Sequence, residues 1–291
     1  MQKKLFSALW PLLLLLFLAA GATRAESENA LLWRLETPQG AVSYLFGTIH
    51  SEDPRVLELP DPVKRAFGTA QTLVLEMDLG RDEAAEMGRA MLLPAGQDLQ
   101  SLIGADLYQQ SVSAMAERGY AEAVVSRLQP WAVVLTLSMP PAETGLFLDY
   151  VLYLQALEQG MTVFGLEQMH EQLGVFTSLS LDEQLSLLRD TLSEHDEFPR
   201  IFEKLLQAYL QRDLQSLAEL GEESMQGSDK GLQQRFMGAL LDERNQLMVR
   251  RLLPLLEKGE VFAAVGALHL PGEQGLLAML RRQGLRITPV Y

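Results

Sequence analysis

Two histidines sit in the same short context near opposite ends of the chain. Tyr44-Leu45-Phe46-Gly47-Thr48-Ile49-His50 is an apolar, β-prone run that reaches a glycine and delivers a histidine three residues later. Ala263-Ala264-Val265-Gly266-Ala267-Leu268-His269 repeats the design. Glycine lets a strand end turn tightly or approach another backbone closely. A histidine just past such an end stands where open α/β sheets place their ligands. The chain has four histidines in all, so half of them share this geometry. Two other apolar runs end in an acid: Leu73-Val74-Leu75-Glu76 and Phe164-Gly165-Leu166-Glu167. If the strands are adjacent and aligned, His50, Glu76, Glu167 and His269 converge at one sheet edge. Two imidazoles with one or two carboxylates form a donor set for Zn²⁺, Mn²⁺, Fe²⁺ or Co²⁺. Such a metal would polarise a carbonyl and bring the pKa of bound water towards neutrality. On this reading His50, Glu76 and His269 hold the metal, and the remaining carboxylate, Glu167 or Glu76, acts as general base. The plainer reading is that a strand-end glutamate meets a helix N-terminus or solvent, and that a lone histidine is structural.

Other polar residues are less specific. Arg244-Asn245 interrupts an amphipathic stretch from Asp242 to Leu256. Arginine pairs bidentately with carboxylates, so Arg244 could hold a ligating glutamate or a substrate carboxylate. It could equally be an ordinary surface arginine. Asp149 lies in the apolar run Phe147-Leu148-Asp149-Tyr150-Val151, where an acid needs a partner. His170-Glu171-Gln172-Leu173-Gly174 begins like a zincin helix but ends in glycine instead of a second histidine. His195 lies in the polar run Ser193-Glu194-His195-Asp196-Glu197, which reads as an exposed loop. There is no phosphate-binding glycine loop of Walker or Rossmann type, and no Gly-x-Ser-x-Gly elbow.

Six strands and the helices between them must position these groups. Leu31–Leu35 and Ala41–Phe46 flank Thr37-Pro38-Gln39-Gly40 and predict a hairpin. Further strands are expected at Thr72–Glu76, Met161–Glu167, Val261–Val265 and Leu285–Val290. A short helix is expected at Pro62–Gly68 and another at Pro271–Gln283. Between about 81 and 158, and between about 168 and 257, the text is helical, with breaks at Pro94, Gly104, Gly119, Pro140-Pro141, Pro199 and Gly227. Few strands and many helices predict one α/β domain over residues 26–291, a small mixed sheet with extensive helical insertions. The insertions could cover the carboxyl edge of the sheet. The order His, Glu, Glu, His along the chain suggests two pseudo-symmetric halves, inverted or swapped about a shared centre.

Composition narrows the class. Lys3 and Lys4 precede an apolar run from Leu5 to Ala20, and Thr23-Arg24-Ala25 suits signal-peptidase cleavage before Glu26. Residues 1–25 therefore read as a cleavable leader and the chain as exported to a bacterial periplasm. The alternative is an uncleaved anchor, for which the run is short and interrupted by Pro11. The chain has no cysteine, which excludes lipoprotein attachment, disulfides and thiolate ligands. The formal charge is −14, and removal of Lys3, Lys4 and Arg24 makes it three charges more negative. So acidic a body repels nucleic acid.

With Gly47-Thr48-Ile49-His50, Leu75-Glu76, Gly165-Leu166-Glu167, Gln172-Leu173, Arg244-Asn245 and Val265-Gly266-Ala267-Leu268-His269-Leu270-Pro271-Gly272 in this order, the chain resembles the TraB/GumN family. That family is related to the Tiki metalloproteases and more distantly to ChaN-like and erythromycin-esterase-like proteins. The resemblance implies a mixed α/β sheet with helical insertions, and a divalent-metal site built on the two histidines and the glutamates. It implies a metal-dependent, peptidase-like hydrolase acting on a peptide or small molecule. A non-catalytic periplasmic protein binding a peptide or a haem-type ligand is the alternative, and a metal-free hydrolase using His50 or His269 as base is a third. Bacterial relatives carry an aromatic residue shortly after Arg-Asn, where this chain has Gln246-Leu247-Met248. That difference bears on substrate contacts.

Overall fold

The computed structural model describes residues 29–224 and 229–291. The expected leader, residues 1–25, and the break at Gly227 lie outside the described residues. Six strands form one sheet: β1 (Leu32–Glu36), β2 (Val42–Thr48), β3 (Thr72–Met77), β4 (Thr162–Glu167), β5 (Val261–Gly266) and β6 (Arg286–Pro289). Their order is β4-β3-β5-β2-β1-β6. β4, β3, β5 and β2 run parallel to one another. β1 is antiparallel to β2 through the expected hairpin, and β6 is antiparallel to β1. The mixed α/β architecture is therefore the one the sequence predicts.

Burial explains the strand sequences. β5 is central, and every residue from Val261 to Val265 is buried, so an uninterrupted apolar run suits it. Ala263 and Ala264 are wholly buried, which lets helices approach that strand closely. β4 lies at an edge, and its Phe164 is exposed while Leu166 and Glu167 are buried.

Two apolar cores result. The first surrounds the sheet, centred on Phe262, Leu45, Leu73 and Leu75, and includes Leu148, Leu152 and Ala156 of the helix Leu148–Glu158. The second is wholly helical, built from Leu99, Met115, Trp131 and Val133 of the first insertion and Leu173 and Leu188 of the second. Most of the first insertion and the opening helices of the second thus share a lobe, while the rest of the second, with Leu206, Tyr209, Met248 and Leu252, packs in the core around the sheet. The lobe's helices break where expected, with Gly104 and Gly119 in left-handed backbone.

Three details differ from the sequence reading. The helix expected from Pro271 begins at Leu276, because Gly272 is left-handed and a turn closes from the Gly275 amide to the Gly272 carbonyl. A short helix, Pro54–Leu57, capped by Asp53, precedes the helix Asp61–Gly68. The stretch before Arg244 is a π-helix, Gly238–Glu243, and the α-helix runs from Arg244 to Leu256.

Candidate active site at the carboxyl edge of the sheet

Because the four motif-bearing strands are parallel, their carboxyl ends share one edge. Inverted halves would have divided them between two edges. Thr48 of β2 is the register partner of Gly266 of β5, and Met77 of β3 is the partner of Glu167 of β4. The glycines of the two Gly-x-x-His stretches have separate steric duties. A Cβ on Gly47 would lie 2.8 Å from Leu270 Cδ1 and 3.1 Å from Ala267 Cβ, so glycine lets the turn carrying His269 pack onto β2. A Cβ on Gly266 would lie 3.1 Å from Glu76 Oε1. Glycine there admits the carboxylate, whose Oε1 accepts the Gly266 amide at 2.6 Å.

Arg244 joins the two strand-end acids. Its Nε donates to Glu167 Oε1 at 2.9 Å and its Nη2 to Glu167 Oε2 at 2.7 Å, the forked pairing a guanidinium makes with a carboxylate. Nη2 also donates to Glu76 Oε2 at 2.6 Å. The π-helix sets this reach. Its wider turn, a form that recurs at functional sites, precedes Arg244, and Nη1 donates to the Leu240 carbonyl at 3.2 Å. Glu167 has a fully buried side chain, and Gln172, one turn into the next helix, donates to its Oε2 at 3.2 Å. Burial disfavours a charged Arg244, but Glu167 and Glu76 more than compensate and hold the guanidinium charged.

His269 is buried beside this cluster. Asn245 Nδ2 donates to the Gln274 carbonyl at 2.8 Å, which turns Asn245 Oδ1 towards His269 Nδ1 at 2.7 Å. An amide oxygen only accepts, so Nδ1 carries the ring hydrogen and Nε2 is left with a lone pair. Nε2 lies 3.6 Å from Glu76 Oε1. Desolvation lowers His269 to about 4, with Glu76 opposing and Arg244 assisting, so the ring is neutral at neutral pH. Burial disfavours ionised Glu76, yet His269 (charged at the acid pH where Glu76 titrates), Arg244 and the Gly266 amide hold its carboxyl at about 2. At neutral pH two acceptors therefore face each other.

His50 stands to one side. The residue is exposed overall, and its ring packs on Phe147, with centroids 3.7 Å apart. It lines a cleft of about 400 Å³ between the sheet edge and the helical lobe, whose far wall includes Tyr120, Leu135 and Met139. The surrounding protein lowers His50 to about 4, while Glu76 and Glu52 favour its charged form. Glu52 fastens the cleft wall: its carboxylate accepts the amides of Thr144 at 2.7 Å and Gly145 at 2.9 Å, and the Thr144 hydroxyl at 2.8 Å. Asp149 finds the partner its apolar setting demands in Thr48, whose hydroxyl donates to Oδ1 at 2.7 Å.

The structure thus brings Glu76, Glu167, Arg244 and His269 into contact, and places His50 at the adjoining strand end within electrostatic reach of Glu76. Among the described residues, no group of three or more His, Cys, Asp or Glu side chains is arranged to hold a metal ion. His195 pairs with Glu117 in the helical lobe at 3.1 Å, and exposed His170 opens a helix. The π-helix, the Gly266 amide and Thr48 carried no sequence signal of their own. Asn245 and Gln172 entered the sequence reading as members of the Arg244-Asn245 and Gln172-Leu173 pairs, without a role of their own.

This is an α/β protein with a buried carboxylate–guanidinium–imidazole cluster at the carboxyl edge of parallel strands. The sequence model of the TraB/PrgY/gumN family matches residues 31–289, and the chain belongs to that family. It is 27% identical to Metalloprotease TIKI2 of Danio rerio over 90% of this chain and 61% of that protein. It is 25% identical to Metalloprotease TIKI1 of the same species over 91% of this chain and 64% of that protein. It is 27% identical to the uncharacterized protein YbaP of Shigella flexneri over 84% of this chain and 89% of that protein. The chain spans less than two thirds of the two TIKI proteins' length. No solved structure matches it.

Proposed function

We propose that this chain is an exported, divalent-metal-dependent hydrolase of peptide bonds. The observation that carries the reading is the pair of facing acceptors, His269 Nε2 and Glu76 Oε1, 3.6 Å apart. Two ligands bound at about 2.1 Å in tetrahedral geometry stand about 3.4 Å apart, close to that spacing. The charge balance also favours a cation, since Glu76 and Glu167 face a single guanidinium. Asn245 supplies the hydrogen bond to Nδ1 that orients a metal-ligating histidine. His269 and Glu76 therefore offer a donor pair for a divalent metal, with His50 at the adjoining strand end as the third ligand this reading requires, and manganese, cobalt, zinc and iron are all compatible with nitrogen and oxygen donors. When bound, the metal supplies carbonyl polarisation and a water of lowered pKa. Arg244 holds Glu76 in place and offsets charge near the reacting atoms. Glu167, occupied on both oxygens, anchors Arg244. The names of the TIKI relatives support the peptide-bond reading. Export rests on the leader-like residues 1–25. Among the described residues no helix is long and apolar enough to cross a membrane.

Elemental analysis after purification without chelator tests this. A stoichiometric divalent metal is expected, reduced in His269→Ala and His50→Ala, together with loss of cleavage of a peptide library. Full metal and full turnover in both variants would end the reading. Metal retained by the unaltered chain, with every peptide left intact, would instead favour a peptide- or haem-binding protein on this scaffold.

A further inference from the structure

We propose that the cleft beside His50 is a substrate subsite that takes a peptide carboxylate next to an apolar side chain, with Arg118 as the group that reads the charge. The proposal rests on the hydrolase reading for the peptide nature of the substrate, and deepens it by naming the part of the peptide the cleft selects.

Its first support is the lining. His50 and Phe147 stand at the sheet edge, Tyr120, Leu135 and Met139 form the opposite wall, and Arg118 lines the same cleft. A volume of about 400 Å³ is that of a small-ligand site, and such sites join apolar walls to a few polar groups that fix orientation. The charged side chains of this lining are Glu52 and Arg118. Glu52 is spent on the wall itself. Its Oε2 accepts the amides of Glu143 at 3.2 Å and Thr144 at 2.7 Å, and its Oε1 accepts the Gly145 amide at 2.9 Å. Arg118 is the charge left to meet a ligand.

The second support is how Arg118 is held. It follows the helix Ala105–Glu117 and reaches the end of the helix Pro130–Leu137. Nη1 donates to the Met139 carbonyl and Nη2 to the Leu137 carbonyl at 3.1 Å, and the guanidinium carbon lies 5.5 Å from the centroid of the Phe198 ring. Carbonyls and ring fix the group but bring no countercharge. They use two of the five guanidinium N–H groups. Among the described residues, no carboxylate forms an ion pair with Arg118, and its chain neighbour Glu117 is turned to His195 at 3.1 Å. Arg244, by contrast, meets two carboxylates.

This combination favours an anion. Partial burial disfavours the charged guanidinium, and a carboxylate arriving from the cleft offsets that cost. A guanidinium already fixed pairs with two oxygens without first being ordered. The apolar wall beside it covers the neighbouring side chain of the ligand. The carboxylate can be the free C-terminus of a peptide or an acidic side chain, since both present two oxygens.

Calorimetric titration of the full chain with four acetylated tripeptides tests this. The first ends in leucine with a free carboxylate, and the second is its C-terminal amide. The third and fourth are leucine amides whose middle residue is aspartate or asparagine. A carboxylate-bearing peptide should bind roughly 10- to 100-fold more tightly than its uncharged counterpart. The free acid gains if the cleft reads the terminus, the aspartate peptide if it reads a side chain. Arg118→Gln should abolish the preference and Arg118→Lys should keep part of it. The preference is a ratio between peptides on one preparation, so partial unfolding of a variant cancels. A merely structural Arg118 would weaken all four peptides alike. Equal binding of all four, binding of none, or a preference that survives Arg118→Gln overturns the proposal. Cleavage of the same peptides is followed separately. Selective binding without cleavage keeps the subsite and counts against the hydrolase reading, whereas cleavage without selectivity keeps the hydrolase reading and removes the subsite.

Discussion

The residue at the centre of the site is Arg244. A buried guanidinium is tolerable only while its donors meet acceptors, and here one side chain satisfies both strand-end glutamates. Glu167→Gln would leave Arg244 buried with one charged partner. The expected loss is about 3 kcal/mol, the lower end of the cost of breaking a buried ion pair, because Glu76 remains. Urea denaturation measures it. Asn245 acts differently, through the tautomer of His269. Without its Oδ1 the ring hydrogen could reside on either nitrogen, and Nε2 would present a lone pair for only part of the time. Asn245→Ala should keep the fold and weaken divalent-metal affinity roughly 10- to 100-fold in a chelator competition titration.

At the scale of elements, geometry comes from how strands and helices end. Parallel strands bring four carboxyl ends together, glycines at 47 and 266 let a turn and a carboxylate approach, and the π-helix aims Arg244 back across the sheet edge. In the loop 138–147, which leads from the helical lobe to Phe147 and the helix Leu148–Glu158, Arg118 holds the Met139 carbonyl and Glu52 fastens residues 143–145. Glu52 accepts hydrogen bonds from those three residues, and their amides hold its carboxyl below the ordinary range. Glu52→Ala should therefore speed hydrogen exchange at residues 143–146 while leaving β2 and β3 protected. Equal protection of that loop in the variant would contradict the role assigned to Glu52.

For the molecule as a whole, acid sensitivity follows from the same cluster. His50 and His269 are held at about 4, below the 6.5 of an unfolded histidine. Between those values the unfolded chain binds protons that the fold refuses, so stability falls as pH drops through this window. Asp149 works in the opposite direction. It is held at about 7 against 3.8 when unfolded, so it favours the fold at acid pH and loses that contribution as pH rises through 7. In metal-free protein, Asp149→Asn should accordingly steepen the loss of stability between pH 6.5 and pH 4. Urea midpoints across that range are the measurement, and a slope shallower than that of the unaltered chain would contradict it.

The amino-acid text alone determined the strands, the breaks in the helical insertions and the side chains with chemistry, because apolar period, glycine, proline and charge act over a few residues. Leu73–Glu76 and Val261–Val265 read as buried strands from composition, and Gly104 and Gly119 marked helix ends. Their neighbours in space were decided elsewhere. The alignment of Thr48 with Gly266 comes from strand register, and the reach of Arg244 comes from the π-helix. The occupation of Glu167 by Arg244 and Gln172, the hydrogen on His269 Nδ1 and the partnership of Asp149 with Thr48 join positions far apart along the chain. Such relations are set by packing and by the need to satisfy buried polar atoms, forces that act through space and leave no local pattern in the sequence.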